Sequence, residues 1–122
     1  MDYEVTSHAP SFSAKIYISG SLDIIKQICR KYCKENPLCV NISETSFIYC
    51  GGEEMGACVE LINYPKYPKS EKDILAKAKE LASMIKKETY QDSILLVAGD
   101  TTYWWSDRET KYSLDEIINN AF

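Results

Sequence analysis

Arginine is scarce among the basic residues of this 122-residue chain. Arg30 and Arg108 are the only two among its fourteen basic residues. A guanidinium presents a planar fork of donors that matches phosphate oxygens, so two arginines in an otherwise lysine-based surface mark candidate anion contacts. Arg108 stands three residues after Trp105, within reach of a ring that an aromatic ligand could stack on. Trp104 and Trp105 are adjacent, and on a strand adjacent side chains face opposite sides of the sheet. One is expected in the core beneath helices; the other needs a cover, either a partner subunit or a ring-shaped ligand. Nine tyrosines accompany them, with Tyr17, Tyr49, Tyr64, Tyr67 and Tyr103 at strand ends or in loops.

Catalytic signatures are sparse. A nucleophile–base constellation needs a histidine beside Ser or Cys, and the single histidine, His8, lies in a polar N-terminal arm. Glu53 and Glu54 form a carboxylate pair within a glycine-rich stretch, where adjacent residues in a turn point apart. No glycine-rich phosphate loop is present. Five cysteines (Cys29, Cys33, Cys39, Cys50, Cys58) are odd in number and lack zinc-ligand spacing, so they read as reduced, structural thiols. The expectation is no catalytic set, no metal, no cofactor, and a protein that is not an enzyme. One stretch argues otherwise. Ile16-Tyr17-Ile18-Ser19-Gly20-Ser21-Leu22 resembles the strand-to-helix opening of nucleoside deoxyribosyltransferases, which implies a nucleoside- or ADP-ribose-processing enzyme as the alternative.

Local patterns position these residues. Lys15–Ser19 alternates as a short strand, and Ser21 caps a helix whose buried stripe is Ile25, Ile28, Cys29 and Tyr32, ending at Asn36-Pro37. Leu38–Ser43, Ser46–Cys50 and Ala57–Asn63 read as three strands, the last two joined by a Gly51–Gly56 turn. Tyr64–Pro68 reads as an extended, polyproline-like connection. Ser70 caps the strongest helix, roughly Ser70–Tyr90, with Ile74, Ala78, Leu81, Ala82 and Ile85 inward. Ser93–Ala98 and Thr101–Ser106 form a final hairpin, and a short helix is expected from Ser113 with Leu114, Ile117 and Ile118 on one side. The order β-α-β-β-β-α-β-β predicts an α+β fold, an antiparallel-dominated sheet with two helices on one face. Residues 1–122 read as a single domain with an ordered body over about 14–106.

The run Cys29-Arg30-x-x-Cys33, Leu38-Cys39-Val40, Phe47-Ile48-Tyr49-Cys50-Gly51-Gly52-Glu53-Glu54-x-Gly56, Ile62-Asn63-Tyr64-Pro65-Lys66-Tyr67-Pro68 and Trp105-Ser106-Asp107-Arg108 resembles the type-one Thoeris anti-defence proteins of phages and prophages. The resemblance covers about residues 15–108. It implies a protein that binds and sequesters a cyclic ADP-ribose isomer made by TIR-domain immune enzymes, without cleaving it. Such a ligand needs ring faces for adenine, cations for pyrophosphate and polar groups for the riboses. The candidate ligand-binding residues are Arg30, Tyr49, Asn63, Trp105 and Arg108.

Charge and composition narrow the partners. A net charge of −4 disfavours a general nucleic-acid binder. No apolar run reaches the ~18 residues of a membrane span, and the N-terminus lacks a signal-peptide layout. The expectations are a cytoplasmic protein of the bacterial host that forms a homo-oligomer covering the exposed rings. A protein-interaction inhibitor acting through the Tyr/Trp surface is the third alternative.

Overall fold

The computed structural model describes residues 4–108. Its elements run β1 (Ser13–Ser19), α1 (Leu22–Glu35), β2 (Cys39–Tyr49), β3 (Gly52–Ile62), α2 (Glu71–Glu88), β4 (Ser93–Ala98) and β5 (Thr101–Ser106). The five strands make one sheet in the order β2-β3-β1-β4-β5, antiparallel at every pairing. The α+β class with two helices on one face is as the pattern predicts. Two β-α-β units interleave: β3 lies between β1 and β2, and β1 lies between β3 and β4, the split βαβ arrangement.

Alternation along the strands decides the layers. Ala14, Ile16 and Ile18 of β1 are buried, as are Ala57, Val59 and Leu61 of β3 and Ile94 and Leu96 of β4. Their register partners share a face, so these side chains form one apolar surface on which both helices pack. The helix stripes expected from 3.6-residue spacing are the buried ones: Ile25, Ile28, Cys29 and Tyr32 on α1, and Ile74, Ala78, Leu81, Ala82 and Ile85 on α2. Side chains of Ser21 and Ser70 accept from the Ile24 and Asp73 backbone N–H groups and cap the two helices. Tyr32 donates to the Lys77 carbonyl at 3.4 Å, and Lys77 Nζ donates to Asn36 Oδ1 at 2.6 Å, which ties the end of α1 to α2.

Three details depart from the sequence pattern. Leu38–Ser43 and Ser46–Cys50 belong to one continuous 11-residue strand, β2, so two strands rather than three separate the helices. The Gly51–Gly56 stretch is a turn only at its start. Gly51 carries the left-handed φ of 87° at the hairpin tip, and from Gly52 onward the chain is already β3. Tyr64–Tyr67 is a tight turn closed by the Tyr67 N–H to the Tyr64 carbonyl at 2.8 Å, rather than an extended connection, because Pro65 presets the φ its second position requires. The helix expected from Ser113 lies outside the described residues. Among the described residues no helix is long and apolar enough to cross a membrane.

Candidate functional site

Among the described residues, the sheet's second face carries no helix. Tyr17 pairs with Cys58 and Leu95, Cys58 with Ser43, and Leu95 with Trp104, so one row of side chains crosses all five strands on this open face. The β2–β3 hairpin runs past the end of β1, where Ser19 pairs with Gly56, and continues as a two-stranded arm. Phe47, Tyr49 and Glu54 on that arm face β4 and β5 across a cleft of about 580 Å³. Tyr17, Ser19, Ser93 and Leu95 also line it, with Trp104 and Arg108.

The arm is locked to β1 at Gly56. A Cβ there would stand 2.1 Å from the Ile18 carbonyl oxygen and 2.8 Å from the Phe47 ring, so only glycine admits this close approach. The Gly20 N–H donates to the Met55 carbonyl at 3.1 Å as a second pin. Phe47 then meets Tyr17 edge to face, with ring centroids 6.3 Å apart at 82°. At the same junction Ser19 Oγ donates to Glu54 Oε2 at 2.6 Å. On the opposite side Arg108 follows β5; its Nε lies 3.6 Å from Asp92 Oδ2, a loose and largely exposed pair. Burial, with the Cys58 thiol and Glu60 nearby, pushes the Tyr17 phenol up, which keeps it a neutral hydrogen-bonding group.

Of the five residues singled out from the sequence, the cleft brings together Tyr49 and Arg108. Arg30 is exposed on α1, on the helical side of the sheet. Asn63 lies at the far end of β3, where it donates to the Pro10 carbonyl at 2.9 Å and accepts from the Lys69 N–H at 2.8 Å. Trp105 pairs with Ile94 and therefore sits on the helix side, stacked on Tyr103 at 6.0 Å and 17°. Trp105 is nonetheless not in the core. β5 is the sheet's edge, past the cover of α2, so its helix-side rings stack on each other while Lys79 Nζ stands 4.5 Å above Tyr103. Trp104 is the tryptophan of the open face, 54% exposed.

Trp104, Phe47 and Ser19 also line the cleft though none is among the five candidates, and Glu54 entered the sequence reading only as half of a carboxylate pair. Strand alternation separates that pair: Glu54 enters the cleft while Glu53 points to the other side. Among the described residues no group of three or more His, Cys, Asp or Glu side chains is arranged to hold a metal ion. Cys29 is buried, and burial followed by the neighbouring Cys33 pushes its thiol up to about 12, an inert protonated group.

No protein-family model matches the chain, and no curated protein matches it in sequence. Solved structures do match in shape. A phage SAM lyase in its apo state superposes with a TM-score of 0.62 over 82% of this chain and 92% of that one, at 15% identity. A phage SAM lyase in complex with S-methyl-5′-thioadenosine gives 0.58 over 88% of this chain and 100% of that one, at 13% identity. The fold is shared with a phage lyase. At this identity the likeness is one of architecture. It still goes against the expectation that the chain is not an enzyme, because both of these structures are of a lyase. That expectation came from the lone His8, the missing phosphate loop and the reading of Glu53 and Glu54 as a turn pair; Glu54 stands instead on β3, exposed, in the lining of the cleft.

Proposed function

We propose that the chain is a phage-type anti-defence protein whose open-face cleft binds an adenosine-bearing signal, a cyclic ADP-ribose isomer made by TIR-domain immune enzymes. The observation that carries this reading is the convergence of Tyr17, Phe47, Tyr49 and Trp104 rings on one cleft with a carboxylate and a guanidinium at its sides. Flat faces suit the adenine, the Glu54–Ser19 pair offers acceptors, and Arg108 offers charge for a pyrophosphate. The S-methyl-5′-thioadenosine bound to a phage SAM lyase, also an adenosine compound, supports the same ligand class. One arginine is few for a pyrophosphate. The reading therefore includes a homo-oligomer in which a second copy closes the open face and brings its Arg30 near.

A second reading, an enzyme that converts SAM or a related adenosine compound, is favoured by the lyase fold. One experiment addresses both. The protein is incubated with cyclic ADP-ribose isomers or with SAM, separated from free ligand, heat-denatured, and the released compounds are chromatographed. About one equivalent of cyclic isomer per site supports the first reading, and Arg108→Ala is expected to lower that retention about tenfold. Conversion of SAM with no retention of cyclic isomers moves the function to the second. Neither retention nor conversion overturns the assignment of the cleft.

A further inference from the structure

We infer that the Ser19–Glu54 pair is the ribose-reading part of the cleft: its oxygens accept from the adjacent hydroxyls of a nucleoside whose phosphate lies toward Arg108. The inference rests on the functional reading above and states how that site chooses and orients its ligand.

Donors and acceptors decide which ligand group fits beside the pair. A carboxylate can only accept, and Glu54 spends part of its Oε2 on Ser19 while, among the described residues, Oε1 receives no side-chain hydrogen bond. Ser19 Oγ has one proton and gives it to Glu54, so toward the cleft the hydroxyl offers lone pairs. The pair is therefore acceptor-only, and the ligand group beside it must donate at two closely spaced points. A phosphate is repelled there. The adenine amino group can donate, but its ring-nitrogen neighbours are acceptors and meet the carboxylate badly. A cis-diol donates twice with nothing opposed beside it. Across the cleft Arg108 is donor-only, which suits phosphate and not sugar. Rings of Tyr17, Phe47 and Trp104 fill the ground between. A nucleotide offers the same sequence of groups: flat base, diol, anion.

The pair is also held in place before ligand arrives. Gly56 lets β1 and β3 close to a distance a Cβ would forbid, and the 2.6 Å charge-assisted bond spans two strands rather than neighbouring residues of one. Little ordering is left to be done on binding, so the contact contributes to selectivity rather than being spent on its own assembly.

The test is calorimetric titration of wild type, Glu54→Gln and Ser19→Ala with ADP and with 2′,3′-dideoxy-ADP. Wild type is expected to prefer ADP by about tenfold or more. Glu54→Gln is expected to lose that preference, with ADP weakened and the dideoxy nucleotide unchanged, and Ser19→Ala to lose part of it. Equal losses on both nucleotides, or a wild type that binds the two alike, overturn the inference. A wild type that binds neither overturns it as well, and the functional reading is then judged separately by retention of the cyclic isomers. Unchanged melting of both variants shows that the effect is not one of folding.

Discussion

The two faces of the sheet are cut from the same strands and differ by one residue of register. On the helical face Ile16 meets Val59 and Leu96, all fully buried; on the open face Tyr17 meets Cys58 and Leu95, all half-buried. The helical face closes a core with no buried polar or charged residue among those described. The open face mixes rings, a carboxylate, hydroxyls and an arginine around a cleft. On the function proposed above, strand alternation separates stability from recognition, so the open face can change without disturbing the core.

The largest expected effect breaks this comparison at its centre. Ile16→Ala removes a fully buried side chain and should destabilise the protein by about 2–5 kcal/mol in denaturant titration. Tyr17→Ala, its neighbour, should cost well under half of that and act instead on ligand binding. Equal stability losses at the two positions would mean that the open face is covered and energetically part of the core.

A smaller effect comes from alkali. Burial holds the Cys29 thiol protonated up to about 12, against an ordinary value of 9.0. The folded pKa lies above the unfolded one, so this contribution is whole below about pH 9 and is lost as pH rises toward the folded value. The Tyr32 phenol is pushed in the same direction, first by burial and then by Glu80. Stability measured by denaturant between about pH 8 and about pH 11 should therefore fall, and Cys29→Ala should flatten the fall. Cys58→Ala on the open face should flatten it less. An unchanged alkaline slope in Cys29→Ala would remove the thiol from the account.

The helical half was legible in the sequence because both helices bury a single stripe at 3.6-residue spacing between recognisable caps. The β2–β3 arm was not. Its residues Glu44–Ser46 interrupt the apolar alternation because past Gly56 neither helix covers the strand, so no core-facing pattern is imposed there. The glycines misled for a related reason: Gly52 and Gly56 make room for the Tyr49 ring and for β1 rather than forming the turn. The cleft was legible only in part. Tyr17, Phe47, Leu95 and Trp104 come from four strands whose adjacency follows from the sheet order, which no local pattern contains. Scarcity singled out Arg108, which lines the cleft, whereas the choice between Trp104 and Trp105 required the register.

That choice supplies the most direct test of the central claim, that ligand binds the open face. Trp104 and Trp105 are the chain's only tryptophans and lie on opposite faces. Trp105→Phe leaves Trp104 as the sole fluorophore, and Trp104→Phe leaves Trp105. Titrating each with the cyclic ADP-ribose isomers and with S-methyl-5′-thioadenosine, the account predicts a saturable emission change in the protein that keeps Trp104 and none in the protein that keeps Trp105. A saturable change from Trp105 alone would place the ligand on the helical side and contradict it.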